Sequence, residues 1–320
     1  MRGQVRRAVR RGARGDPRGQ RSRVRPVKAR AALIALLAPL ALSACKKPAD
    51  NKPVIHIDFD NPSSDFARDP ALASDAAASE AAPEASEAPK AASACEAVTF
   101  EDAKFTHCVA DPAKDRIELV DAAPGGAPYR SFKAFAGARP ADAPPVVFAI
   151  NGGMFDGAGK PIGYYVENGK RLKELNRADG PGNFHMKPNG VFYGANGKWH
   201  VRTSDDFYHT VGDRPDFGTQ SGPMLVINGK LHPQITDDGP SRIQRDGVGI
   251  DRAGRAHFVI SEGAVSFGKI ARYFRDVLKT PDALYLDGGV SSLWDPASGR
   301  TDSAAPLGPM IVVTSKQAAP

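Results

Sequence analysis

The sequence predicts an α+β (α/β mixed) domain whose sheet is mixed but largely antiparallel, with few helices. Three observations carry this. Asn-Gly pairs stand at Asn168-Gly169, Asn196-Gly197 and Asn228-Gly229, each between strand-like segments. Asn-Gly suits the two-residue primed turns that match the twist of paired strands. The segment IDRAGRAHFVIS adds a hairpin turn around Gly254. Helical periodicity, by contrast, is scarce. The best case runs from Ser266 to Leu278, where Phe267, Ile270, Ala271, Phe274, Val277 and Leu278 recur at helical spacing. Ser266 serves as its N-cap and Pro281 follows its end.

From the N-terminus, residues 1–44 read as a leader. Residues 1–30 hold eleven Arg, one Lys and one Asp, hence +11 of a chain total of +7, which leaves −4 for the rest. The basic charge therefore belongs to the leader, and a nucleic-acid partner is excluded as a reading of the folded part. AALIALLAPLALSAC, residues 31–45, is a short apolar run ending in small residues. That is the pattern of a secretory signal, and it is too short and too interrupted by Pro39 for a membrane-spanning helix. Its end, Leu42-Ser43-Ala44-Cys45, resembles a bacterial lipobox. Cys45 would then be the first mature residue and carry lipid, placing the protein on the periplasmic side of the envelope, at the outer membrane. The alternative is an ordinary signal peptide cleaved nearby.

Residues 45–94 form the lipidated N-terminus and a tether. ASDAAASEAAPEASEAPKAASA is Ala, Ser, Glu and Pro with almost nothing to bury, a composition that stays unfolded. One short strand-like piece, IHIDF at 55–59, interrupts it. The folded domain is expected over 95–314, with a tail at 315–320. Beyond Cys45 the cysteines are Cys95 and Cys108, an even pair in an oxidising compartment, and a disulfide is expected there; two free thiols are the alternative.

Within the domain a second, shorter helix is expected over 129–136, between RIELV and VVFAI. Each of two Gly-Gly motifs then closes a strand–helix–strand unit. One ends in Asn151-Gly152-Gly153 and the other in Asp287-Gly288-Gly289. Polar residues at the ends of buried strands commonly line sites, and glycine after them lets a ligand approach backbone N–H groups. Asn151 offers an amide, Asp287 a carboxylate, and Ser291 and Ser292 hydroxyls. Gln220, Ser221 and Gly222 precede a further apolar strand. Arg245 stands at the start of another, suited to a phosphate or carboxylate. The loop from Gly180 to Phe192 reads as a rim where Asn183 and His185 meet a sugar. Taken singly, each motif is also ordinary turn chemistry, and Arg245 could be a surface ion pair. Seven His occur without HExxH or Cys/His spacing, so no metal site is read. No cofactor is required; a divalent cation is compatible. GxSxG, Walker A and Rossmann fingerprints are absent.

In this order, NGGMF, QSGPMLV, RDGVGI, FRDVL and LYLDGGVSSLW resemble the phosphodiester glycosidase family, which includes the mammalian enzyme that uncovers mannose 6-phosphate. PIGYYVENGK, GNFHMKPNGVF and TQSGPMLVINGKLHP are similar to a bacterial branch of it. The resemblance spans roughly 95–313. It implies the family's fold, hydrolase chemistry on a carbohydrate or sugar-phosphate substrate, and site residues Asn151, Gly152, Gly153, Ser221, Gly222, Arg245, Asp287, Gly288, Gly289 and Ser291. Asp287 would be nucleophile or general base, Arg245 would bind phosphate, and Asn151 with Ser221 would orient the sugar. The mammalian branch carries Arg-Thr-Ala-Val-Gly where this chain has Arg245-Asp246-Gly247-Val248-Gly249, so Asp246 is expected to alter which substrate is tolerated. A glycan-binding or scaffold lipoprotein without turnover is the alternative from another functional class.

Overall fold

The computed structural model describes residues 92–211 and 215–316. The leader, Cys45 and the IHIDF segment lie outside the described residues. The chain begins with β1 (Cys95–Phe100), β2 (Ala103–Ala110) and β3 (Asp115–Val120), then α1 (Phe132–Ala138) and β4 (Val146–Asn151). The next stretch holds β5 (Tyr165–Glu167), β6 (Lys170–Lys173), β7 (Gly190–Ala195), β8 (Lys198–Thr203), α2 (Ser204–Thr210) and β9 (Phe217–Ser221). After these come β10 (Met224–Ile227), β11 (Lys230–Leu231), β12 (Asp246–Ile250), β13 (Ala256–Ser261) and α3 (Phe267–Arg272). The last strands are β14 (Asp282–Tyr285), β15 (Leu293–Asp295), β16 (Arg300–Thr301) and β17 (Met310–Ser315).

These strands form three sheets, ordered β1-β2-β13-β12-β14-β10-β11, β16-β15-β4-β17-β3 and β6-β5-β9-β7-β8. The fold is richer in sheet than the α+β expectation, and neighbouring strands are antiparallel throughout, which corrects the expectation of a mixed sheet. The reason lies in the two strand–helix–strand units. β3 and β4 both pair antiparallel with β17, which lies between them. β13 and β14 both pair antiparallel with β12 in the same way. The strands of each unit run parallel to one another, but never as neighbours. The two Gly-Gly motifs thus follow equivalent strands of two equivalent crossovers.

The Asn-Gly turns close the hairpins β5–β6, β7–β8 and β10–β11. Asn168 and Gly169 take φ of 50° and 69°, and both members of the other two pairs are also left-handed, the conformation a primed turn requires. Gly254, at φ 86°, turns β12 into β13.

Alternation along the strands sorts side chains between one shared core and three outer faces. Phe148, Ile150, Ile311, Val313, Phe258, Leu284, Phe192 and Phe217, from all three sheets, pack into one cluster. On the far side of β4 and β17, Ala149, Met310 and Val312 pack with Phe132 and Phe135 of α1. Val259, Ala283 and Tyr285 pack with Ile270 and Ala271 of α3 and with Phe274 beyond it. Val191 and Tyr193 pack with Phe207 of α2. Each sheet therefore has one helix on its outer face.

The helices begin where side chains cap them. Ser266 Oγ accepts from Lys269 N at 3.1 Å, as the sequence predicts, and a π turn over Tyr273–Val277 carries the coil on to the expected end. α1 starts later than expected because Arg130 is left-handed (φ 62°) and Ser131 Oγ caps Ala134 N at 3.1 Å. The short α2 was not expected; Thr203 caps it and Asp205 and Asp206 fill its first turn, which suits the helix dipole. Cys95 and Cys108, directly opposed on β1 and β2, form a disulfide. Among the described residues no helix is long and apolar enough to cross a membrane.

Candidate active site

The motif residues meet where the ends of β4, β9 and β14 and the start of β12 converge. Val248 of β12 faces the shared core, so alternation turns Asp246, two residues earlier, to the same face and Arg245 to the opposite one. Asp246 therefore points from the first sheet toward the second, where β4 ends in Asn151. Asn151 Nδ2 donates to Asp246 Oδ2 at 2.7 Å and to the Asp287 carbonyl at 3.2 Å. Its Oδ1 accepts from Ser292 N at 3.0 Å. Ser291 Oγ donates to Asp246 Oδ1 at 2.9 Å. One carboxyl group thus ties together both Gly-Gly motifs.

The other motifs join through the backbone. Ser221 Oγ donates to Leu286 O at 2.9 Å, immediately before Asp287. Leu286 N donates to Asp246 O at 3.2 Å, and Tyr285 N to Pro223 O at 3.1 Å. Gly152 N donates to Pro309 O at 2.7 Å, and Gly153 N to Thr219 Oγ1 at 3.2 Å. A Cβ at Gly153 would overlap Gln220 O, and one at Gly222 would stand 2.8 Å from Phe184 O. These two glycines are thus needed for backbone packing. A Cβ at Gly288 would overlap the Tyr285 hydroxyl, which itself accepts from Gly288 N at 2.9 Å. Gly289 is different: it is exposed, and its nearest neighbour would be Asp287 Oδ1 at 3.3 Å. Gln220 is structural, its amide joining Tyr164, Asn176 and Ser204.

Electrostatics separate the two carboxyl groups. Asp246 has no accessible surface. Burial first, and then the charge of Asp287, push its pKa up to about 8 against the hydrogen bonds from Ser291 and Asn151. It is consequently neutral for much of its population near neutrality. Asp287 is only partly exposed; burial raises its pKa too, while Gly289 N, 3.2 Å from Oδ1, opposes the rise. Its Oδ2 has no hydrogen-bond partner among the described residues, so Asp287 is the carboxylate with an oxygen to offer.

Arg245 occupies a closed slot on the opposite face of the sheet, with no accessible surface. Its guanidinium carbon lies 3.5 Å from the Phe267 ring centroid and 5.5 Å from that of Tyr285. Nε donates to Val265 O at 2.9 Å, and Nη2 to Ser241 O and Oγ, both at 3.0 Å. Nη1 is buried without a partner, and no ion pair forms with Asp246 or any other described carboxylate. Burial lowers its pKa. The chain therefore holds an uncompensated cation behind Tyr285, not an exposed phosphate clamp. Asn183 and His185 lie on a 3-10 turn, and His185 Nδ1 bonds Ala178 O within its own loop at 3.1 Å. That loop reaches the cluster through its backbone contacts with Gly222.

Sequence reasoning did not place Asp246 in the cluster. The signal was available: in DGVGI the inward Val248 puts Asp246 on the same face. Tyr285 was missed because it reads simply as a strand aromatic. A separate groove of about 500 Å³ runs along β3, lined by Leu119, Trp199 and Phe217 among others, and contains none of the candidate site residues.

The chain is 38% identical over 171 residues to the uncharacterized protein YigE of Escherichia coli K12; the match covers 53% of this chain and 66% of that relative, just under two thirds of its length. Among solved structures it is similar to the catalytic domain of zebrafish N-acetylglucosamine-1-phosphodiester alpha-N-acetylglucosaminidase, auto-inhibited by pro-peptide (15% identity, TM-score 0.48, 73% of this chain and 87% of that one). It is also similar to a putative exported protein of Burkholderia pseudomallei (11%, TM-score 0.44, 66% and 74%). The family described as phosphodiester glycosidase matches residues 145–314. That span is more than half of the chain and contains Asn151, Ser221, Asp246 and Asp287 together: the chain belongs to the phosphodiester glycosidase family.

Proposed function

We propose that this protein is an exported hydrolase, lipid-anchored through Cys45 at the periplasmic side of the outer membrane, that cleaves a sugar-1-phosphodiester in envelope glycans. The observation that carries the reading is Asp287, a partly buried carboxylate with one oxygen unengaged, held where both Gly-Gly motifs meet. A carboxylate placed to serve as nucleophile or general base is the usual equipment of glycoside hydrolysis. In the proposed reaction Asp287 takes a proton from the attacking water, or itself attacks the anomeric carbon to form a glycosyl ester that water then hydrolyses. The bond from that carbon to the phosphate oxygen breaks, and its electron pair leaves on the phosphate. A phosphate monoester leaves readily, so little general-acid help is needed. Arg245 contributes an uncompensated positive charge behind Tyr285, which favours an anion nearby. Asn151 and Ser221 hold the strand ends that carry Asp287, Gly289 leaves the edge beside it open to the sugar, and Asn183 and His185 stand on the rim.

The test is release of sugar and phosphate monoester from a panel of sugar-1-phosphodiesters by the full chain, beside Asp287→Asn, with and without a chelator. Release that vanishes in the variant supports the reading, and the chelator arm decides whether a divalent cation takes part. No release from any member by the folded protein overturns it. A non-catalytic glycan-binding role is the second reading, favoured by one observation, the complete burial of Arg245. Binding of the same panel without turnover would support it. Retention of Cys45→Ser in the membrane fraction would remove the anchor from the proposal.

A further inference from the structure

We propose that Asp246 is a positioning residue of this site, whose buried carboxyl group fastens Asn151 to Ser291 and thereby fixes the two Gly-Gly strand ends, and with them Asp287, relative to one another. The argument begins with geometry. Asp246 belongs to the first sheet and Asn151 to the second, and they meet at 2.7 Å. On its other oxygen Asp246 meets Ser291, four residues beyond Asp287, at 2.9 Å. Both oxygens are thus engaged, and with no accessible surface the group does not reach substrate itself. Its influence must pass through the residues it holds.

The hydrogen-bond inventory accommodates a proton. Asn151 Nδ2 can only donate, so Oδ2 accepts in either state. With Oδ1 protonated, the carboxyl donates to Ser291 Oγ, and the hydroxyl proton of Ser291 turns to Gly288 O, 3.4 Å away. Ionised, Asp246 instead accepts the hydrogen bond from Ser291 Oγ, the contact to Gly288 is lost, and a second negative charge stands beside Asp287. The groups facing Asp246 are Asp287 and the phenol of Tyr285, both from the β14 strand end, with neutral Asn151 from β4 and neutral Ser291. Ile260 opposes it across β13. Arg245 lies on the other face of the sheet and does not neutralise it. Burial and the charge of Asp287 both favour the proton, and its loss is centred near pH 8.

The kinetic part rests on the hydrolase reading; the spectroscopic part does not. In the full chain, Asp246→Asn reproduces the neutral carboxyl: its carbonyl accepts from Asn151 and its amide donates to Ser291. It is expected to keep kcat within about threefold of wild type at pH 7 and to lose the decline of kcat that wild type shows above pH 8. Asp246→Ala is expected to lower kcat about 100-fold, with a much smaller change in KM. Asp246→Asn as impaired as Asp246→Ala, or Asp246→Ala at full kcat, overturns the proposal. Independently, the side-chain amide resonance of Asn151 should shift with a midpoint near pH 8 in wild type and stay flat in Asp246→Asn. A midpoint absent from wild type, or persisting in Asp246→Asn, overturns the proposal as well. If wild type releases no sugar, the hydrolase reading fails and the resonance measurement alone decides the role of Asp246.

Discussion

Asn151 and Asp246, 95 residues apart and on different sheets, share a hydrogen bond of 2.7 Å. It is buried and joins the end of one crossover to the central strand of the other. Removing one partner of such a bond leaves the other unsatisfied, which costs more than the bond contributes. The cluster around it is therefore sensitive to single substitutions, and the expected effects differ residue by residue.

Asp287→Asn removes the one cluster carboxylate with an oxygen unengaged. Turnover should fall on the order of 10³-fold while the thermal midpoint stays within a few degrees. Because burial raises the Asp287 pKa, the acid limb of the wild-type rate profile should lie above the ordinary carboxylate range, rising as Asp287 ionises. Steady-state rates from pH 3 to 9 check both points.

Asp246 should make stability depend on pH. Its folded pKa, about 8, exceeds the ordinary carboxyl value of 3.8. Its contribution is then complete below about pH 4 and is lost as pH rises through 8. Asp246→Asn escapes that loss. The variant's advantage in urea unfolding should grow between these limits by at most about 1.4 kcal/mol per pH unit and then level off. An advantage independent of pH would contradict the burial argument.

Gly153→Ala and Gly289→Ala separate packing from function. The first forces a methyl group against Gln220 O and Thr219 Oγ1 and should lower stability by about 1–3 kcal/mol. The second meets only Asp287 Oδ1 at 3.3 Å, so the protein should fold normally. A rise in KM with an unchanged thermal midpoint would then mark Gly289 as an edge that substrate approaches.

Cys95→Ala opens the β1–β2 disulfide, whose sequence separation is 13. The expected loss is about 3 kcal/mol. Reductant should bring wild type down to the variant's stability and leave the variant unchanged, as denaturant titration would show.

Arg245→Met tests the buried cation. Arg245 is sealed from contact with an anion, but no carboxylate neutralises its charge, so inorganic phosphate at millimolar concentration should raise the wild-type thermal midpoint more than the variant's. Equal shifts in the two proteins would assign the anion to other residues.

Hairpins and caps were legible in the sequence because their causes are local. Asn168-Gly169 adopts a primed turn whatever lies beyond it, and Ser266 caps the turn that follows it. The gathering of Asn151, Ser221 and Asp287 was legible as motifs at strand boundaries, and the part of Asp246 in it was not. Their actual contacts depend on which strands become neighbours, and strand neighbourhood is a long-range property. β17 inserts between β3 and β4 from the far end of the domain, and nothing near Asn151 announces it. The slot around Arg245 was illegible for the same reason: Ser241, Val265 and Phe267 close on it from segments on either side of the β12–β13 hairpin. A charged residue at a strand start reads as exposed until its face of the sheet is known.

The place of β17 also bears on the order in which the protein can be built on the ribosome. β3 and β4 emerge early, yet the strand that pairs with both, Met310–Ser315, emerges last among those described. Until it does, two strands stand without their common neighbour, and Gly152 lacks the Pro309 carbonyl that holds it. The nascent chain therefore carries exposed strand edges through most of its synthesis. A chain cut short before residue 310 would retain every motif residue named above and still lack the strand that sets Asn151 in place.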